Sequence, residues 1–173
     1  NPAMAAQLPT WKQQTGMLGI RVTFLGNDAG MLTDGTADWF WPAAEKAGLP
    51  VMAFAPGRSA AFAPILEKYP GLQLILDHNG VTGAMAKEGI MDAALAQTVA
   101  LAKYPNANVK LSAWPGASQQ AYPWADVKPW IKRVFDAFGP QRSFWGTDLT
   151  NSWALGSYRQ RVTHFTETLD FMS

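Results

Sequence analysis

The stretch Leu72-Gln73-Leu74-Ile75-Leu76-Asp77-His78-Asn79-Gly80 decides how this chain is read. Leu74, Ile75 and Leu76 follow one another with no polar residue between them. A strand buried on both faces reads this way, and two-face burial marks a parallel sheet covered by helices. The run stops on an acid, an imidazole and an Asn-Gly pair, which are turn residues. It is preceded by Tyr69-Pro70-Gly71, where proline cannot continue a helix and the next element begins.

Working outward, four more apolar runs repeat the pattern. They are 19–25, which carries Ile20-Arg21-Val22; 49–55, which carries Val51-Met52-Ala53-Phe54; 108–114, with Val109-Lys110-Leu111-Ser112; and 142–148, ending Trp145-Gly146-Thr147-Asp148. Helical patterns lie between them. Asp38 is placed to cap a helix from Trp39 to Ala47, with Gly48 after its end. A second is expected from Ser59 to Tyr69 with Pro64 near its start, a third from Glu88 to Lys103, and a last from Ser157 to Leu169. The clearest is the fourth, where Val127, Trp130, Ile131, Val134, Phe135 and Phe138 fall on one stripe at helical spacing. Tyr104-Pro105-Asn106 and Phe138-Gly139-Pro140 repeat the helix-ending punctuation.

The resulting order is βαβαβαβαβα, which calls for parallel strands and right-handed crossovers. Two architectures satisfy it. An open doubly wound sheet would be complete in 173 residues. A (β/α) barrel of TIM type takes about 250, so five units make an incomplete one. The chain reads as one domain over residues 1–173. It opens on Asn1-Pro2-Ala3 with no initiator methionine, which is the expectation for a piece of a larger barrel.

Composition narrows the function. Hydrophobic residues make up 48% and charged residues 16%, enough apolar material for a core. The net charge of +1 and the lack of long basic runs argue against nucleic acid or an anionic membrane as partner. No apolar stretch reaches the roughly 18 residues of a membrane span. Cysteine is absent, which removes disulfides, thiolate metal sites and cysteine nucleophiles and fits a cytoplasmic setting. There is no dinucleotide fingerprint, P-loop or G-x-S-x-G elbow.

Both architectures gather ligands at the carboxyl ends of the strands. Those ends hold His78, Lys110 with Ser112, and Asp148. Strand alternation predicts that His78 shares a face with Leu74 and Leu76, so that Asp77 points to the helices and the two do not interact. It also pairs Lys110 with Ser112 and places Gly146 below Asp148, leaving room for a substrate or ion. Structural readings compete: a strand-end histidine is often structural, Asp148 suits a loop hydrogen bond or a cap, Lys110 suits snorkelling, and His164 reads as a surface residue.

Taken in order, these pieces resemble the amidohydrolase-related TIM-barrel hydrolases, the group that includes 2-pyrone-4,6-dicarboxylate lactonase and sugar-lactone hydrolases. The pieces are Gly19-Ile20-Arg21; Trp39 through Gly48-Leu49-Pro50-Val51; Tyr69-Pro70-Gly71 leading to Leu76-Asp77-His78-Asn79-Gly80; Val109-Lys110-Leu111-Ser112; and Phe138-Gly139-Pro140 leading to Gly146-Thr147-Asp148. The resemblance implies a barrel with a His-x-His on the first strand, a histidine on the fifth and an aspartate on the eighth. His78 and Asp148 match the last two. The His-x-His has no counterpart here, and Leu149-Thr150 replaces the family's usual Trp-Pro.

The implied chemistry is hydrolysis of a lactone, with Asp148 as general base and His78 polarising the carbonyl or binding metal. Arg21, Lys110 and Ser112 are the substrate-binding candidates. Zinc or manganese belongs to some relatives, with His78 and Asp148 as the only ligands this chain would offer. The implied partner is a small lactone or carboxylate, with a second copy of the chain covering the open barrel edge. Two alternatives stand beside this reading: a metal-dependent decarboxylase or amidohydrolase of the same fold, and a non-catalytic partial-barrel protein.

Overall fold

The computed structural model describes residues 2–172. Five strands, β1 (Ile20–Thr23), β2 (Val51–Phe54), β3 (Leu74–Leu76), β4 (Ala107–Leu111) and β5 (Ser143–Trp145), form one sheet. Its order is β1-β2-β3-β4-β5 and every pairing is parallel. A doubly wound sheet reverses its direction of growth at a switch point. Here each connection steps one strand in the same sense, so right-handed crossovers put the helices on one face. That settles the choice: this is an incomplete (β/α) barrel, five units of the eight that close a ring.

The register explains which side chains go where. Val22, Ala53, Leu76 and Val109 pair across one row, and the last three are fully buried beneath the helices. The alternate row, Arg21, Met52, Ile75 and Asn108, faces the hollow of the curved sheet. Met52 and Ile75 are only half-buried there, and Phe144 on β5 is exposed. Two-face burial therefore holds only in part, because five strands leave the hollow face without an opposite wall.

The helices are α1 (Phe40–Lys46), α2 (Ala63–Lys68), α3 (Gly83–Lys87), α4 (Met91–Ala100), α5 (Trp114–Ala117), α6 (Lys128–Phe138) and α7 (Tyr158–Thr163). α6 matches its stripe: Ile131, Val134 and Phe138 are buried, and Gly139 ends the helix at φ +72°. Gly48, at φ +60°, ends the first helix as expected, with the amide of Leu49 returning to the carbonyl of Ala44. Asp38 does not cap it; Trp39 holds that position without a side-chain bond. The helix expected over 88–103 starts only at Met91, as α4, and reaches Lys103 through a 3₁₀ turn; Gly89, at φ +71°, separates it from the short helix α3, which was not expected. α7 starts on a capping box between Ser157 and Gln160, then widens into a π turn over His164–Thr168.

Beneath the sheet, Phe24, Trp41 and Phe62 pack with ring centroids 6.1–6.2 Å apart. At the amino ends of the strands Arg142 donates to the carbonyls of Phe138, Ala102, Tyr104 and Ala107. This ties the end of α6 to the entrance of β4.

Candidate active site

The strand ends of β3, β4 and β5 all bend through left-handed backbone. His78 (φ +50°), Asn79 (+58°), Ala113 (+67°) and Asp148 (+50°) are non-glycine residues in that conformation, which L side chains adopt reluctantly. The consequence is largest at β3. Leu74 and Leu76 point under the helices and Asp77 points into the hollow. The left-handed run His78-Asn79-Gly80 then turns the chain so that the imidazole comes back to the side where Asp77 lies. His78 Nε2 sits 3.4 Å from Asp77 Oδ2. The alternation argument, which kept these two residues apart, fails because alternation ends where extended backbone ends.

This turn is held from three directions. Asn79, fully buried, donates its amide to the carbonyl of Ser112 at 3.1 Å. Thr98 of α4 donates to the carbonyl of Asn79 at 2.7 Å and accepts from the Ser59 hydroxyl. The amide of Gly57 donates to the carbonyl of Gly80. A Cβ at Gly80 would lie 2.1 Å from Ser59 Oγ, so only glycine fits there.

Asp77 is the electrostatic centre. It is wholly buried, Arg21 Nε meets Oδ2 at 2.7 Å, and Lys110 Nζ stands 3.1 Å from Oδ1. Burial pushes its pKa up; His78, Arg21 and Lys110 outweigh that and leave it lowered. Burial is also the main influence on His78 and lowers its pKa; Asp77 and Asp148 oppose the shift, while Lys110 and Arg21 reinforce it. His78 Nδ1 lies 2.8 Å from Ser112 Oγ. With two carboxylates on the Nε2 side, the neutral ring keeps its proton on Nε2, so we assign the Ser112 hydroxyl as donor to Nδ1. Phe54 closes the remaining side, edge to face at 5.2 Å.

Asp148 completes the cluster. Its Oδ1 is 3.7 Å from His78 Nε2 and accepts from Asn151 Nδ2 at 2.9 Å. An open cleft of about 430 Å³ lies over Arg21, His78, Lys110, Asp148 and residues 149–151. A second, apolar cavity of about 370 Å³ lies away from this chemistry, between residues 2–13, β1 and α1.

Of the residues singled out in the sequence, His78, Asp148, Lys110 and Arg21 meet at this cleft. Ser112 is 2% exposed and lies beneath His78. The room expected above Gly146 is taken by Lys110: a Cβ at 146 would sit 2.4 Å from Lys110 Cε. His164 is not on the surface. It is 1% exposed, edge-on to Trp124 and Phe165, because a loop distant in sequence folds over it. Neither of its ring nitrogens makes a hydrogen bond of good geometry. Asp77, read in the sequence as facing the helices, lies in the hollow beside His78 instead; the roles of Asn79 and Thr98 carried no sequence signal.

A metal fits this donor set poorly. Among the described residues no three His, Cys, Asp or Glu side chains are grouped to hold an ion. The cleft offers His78 and Asp148, whereas zinc takes at least three protein ligands. Asp77 is engaged by two cations that would repel a third.

The expectation of a fifth-strand histidine and an eighth-strand aspartate places two strands between them. Among the described residues one strand, β4, stands between His78 and Asp148.

Comparison with known proteins agrees with this architecture. A Burkholderia multivorans amidohydrolase with bound zinc superposes with a TM-score of 0.75 at 19% identity, over 95% of this chain and 60% of its own. A candidate 2-pyrone-4,6-dicarboxylic acid hydrolase from Acinetobacter baumannii, with citric acid bound, gives 0.70 at 20% identity over 96% and 62%. The L-fucono-1,5-lactonase of Burkholderia ambifaria is 30% identical over 107 residues, 60% of this chain and 35% of that protein. The chain thus spans about a third of the curated lactonase and some three fifths of the structural relatives. The amidohydrolase family model matches residues 1–162, nearly the whole described chain, and the protein belongs to that family.

Proposed function

We propose that this chain carries the general-base side of a hydrolase site acting on a lactone. The carrying observation is the convergence of His78 and Asp148, 3.7 Å apart, at the rim of one open cleft. The lactonase among its relatives supports the substrate class. Asp148 takes a proton from water as the water oxygen attacks the lactone carbonyl carbon. The Nε2–H of His78 donates to the carbonyl oxygen as it gains charge. The ring C–O bond then breaks, and Asp148 returns the proton to the departing oxygen, giving the open hydroxy acid. General-base catalysis of this kind is worth about 10²–10⁴-fold.

Arg21 and Lys110 hold Asp77 on the floor, and their outward faces set a positive field for a substrate carboxylate. Ser112 fixes the ring of His78 from below. The reading includes a cytoplasmic setting, in keeping with the absence of cysteine, and one partial-barrel domain whose open edge a second copy covers. No helix among the described residues is long and apolar enough to cross a membrane.

The test is lactone hydrolysis by the chain and by Asp148→Asn, with and without Zn²⁺ or Mn²⁺. A loss of about 10²–10⁴-fold is expected in the variant. An unchanged rate sinks the assignment of the base.

A further inference from the structure

Asp148 stands in a left-handed conformation on a loop whose residues 149–151 and 153–155 form only single 3₁₀ turns. A non-glycine residue holds such a conformation only when its surroundings over-determine it. The surroundings here come mostly from one side chain. Arg161, in α7, is 3% exposed. Its Nη1 donates to the carbonyl of Thr147 at 2.8 Å, Nη2 to that of Ser152 at 2.5 Å, and Nε to that of Gly156 at 3.2 Å.

Those three carbonyls bracket the loop. Thr147 precedes Asp148 in the chain. Ser152 in turn donates its hydroxyl to the Asp148 carbonyl, so that Arg161 grips the residue that grips Asp148. Gly156 closes the segment just before the Ser157 capping box, which fixes where α7, and hence Arg161, begins.

We propose that Arg161 is the positioning residue for Asp148: its guanidinium fork sets the loop so that the carboxylate meets His78. This rests on reading Asp148 as the base. The planar fork is essential to the argument. Three carbonyls in different directions can be met by five rigidly placed donors, and not by the single ammonium of lysine. Arg161 meets the cleft lining at the carbonyl of Thr147 and acts on Asp148 through the backbone. Burial works against its charge while the nearby Asp148 carboxylate favours it.

A simple stabilising clamp is the competing account, and the molecule contains its own control. Arg142 ties four carbonyls at the other end of the sheet, far from the cleft. The experiment compares Arg161→Lys, Arg161→Met, Arg142→Met and Asp148→Asn in the full chain by melting temperature, by NMR at one fixed pH, and by kcat and KM for a lactone. The NMR probes are the amide of Asp148 and the Cε1–H of His78, one of only two histidines.

Arg161→Lys is expected to displace both resonances and to lower kcat by about 10²-fold, the effect of misplacing a reacting group by about 1 Å, with KM little changed. Arg142→Met is expected to lower the melting temperature and leave both resonances in place. If Arg161→Met does not fold, Arg161→Lys decides alone. Resonances and kcat unmoved in Arg161→Lys overturn the proposal, as does equal displacement of the resonances by Arg142→Met. The NMR readout needs no turnover, so an Asp148→Asn variant that keeps its rate would sink the base assignment and still leave the role of Arg161 to be read.

Discussion

At the amino end of the sheet Arg142 gathers four carbonyls around the entrance to β4, and among the described residues no non-glycine residue on that rim has a positive φ; Gly139 takes that conformation instead. At the carboxyl end Arg161 gathers three, and the backbone around it is left-handed at His78, Asn79, Ala113 and Asp148. The same side-chain chemistry serves relaxed turns at one rim and strained ones at the other. The difference teaches where this fold stores conformational cost: at the rim that also holds Asp77, His78, Lys110 and Asp148. Strain of about 1–3 kcal/mol per residue persists only where neighbours over-determine it.

The comparison breaks first at Asp77. Asp77→Asn leaves Lys110 and Arg21 without a counter-charge, at an expected cost of about 2–4 kcal/mol, the lower end favoured because Arg21 is half in solvent. Urea unfolding measures it. A midpoint equal to that of the parent chain would mean that the carboxyl rim adds no stability through its charges. At the opposite rim, Arg142→Met strips four carbonyls of their donor and should cost about 2–3 kcal/mol in the same assay, with the cleft unaltered.

A smaller effect separates strain from hydrogen bonding. Asn79→Ala loses the amide bond to Ser112 and keeps a Cβ at φ +58°, at a cost of about 1–2 kcal/mol. Asn79→Gly loses the same bond and relieves the backbone, so it should be the milder of the two. If the two variants unfold together, left-handed strain is not the cost that distinguishes this rim.

The smallest effect concerns acid. Both histidines are buried with pKa values pushed below the ordinary 6.5. Protons therefore bind the unfolded chain better, and stability should fall as pH drops below 6.5 towards the lowered folded values. His164→Phe, between Trp124 and Phe165, should flatten part of that decline in melts from pH 7.5 to 5. Pro123's backbone opposes the His164 shift, so the change should be modest. An identical slope in the variant would place the acid sensitivity at His78, the other buried imidazole with a lowered pKa.

Much of the fold was legible because it is local. Tyr69-Pro70-Gly71, Gly48 and Gly139 end helices wherever they occur, and the α6 stripe needs no partner to be recognised. The strands came out shorter than their apolar runs, since pairing stops where the register runs out. Gly89 was passed over because glycine is tolerated inside a helix often enough that only its φ reveals a break. The residues of the site were legible by type and by position at strand ends. Their mutual geometry was not: reaching Asp77 required knowing that His78 leaves extended backbone, and that depends on Thr98, Ser112 and Gly57.

By itself, then, the sequence determined that there are five βα units, roughly where each lies, and which side chains with chemical capacity sit at the strand ends, because all of these follow from neighbours along the chain. Strand order, the hollow face that Asp77 and Lys110 share, the return of the His78 ring, the burial of His164 and the grip of Arg161 on Asp148's loop were decided only by tertiary structure. Each of them rests on hydrogen bonds or packing between segments remote in sequence, and no local periodicity records such contacts.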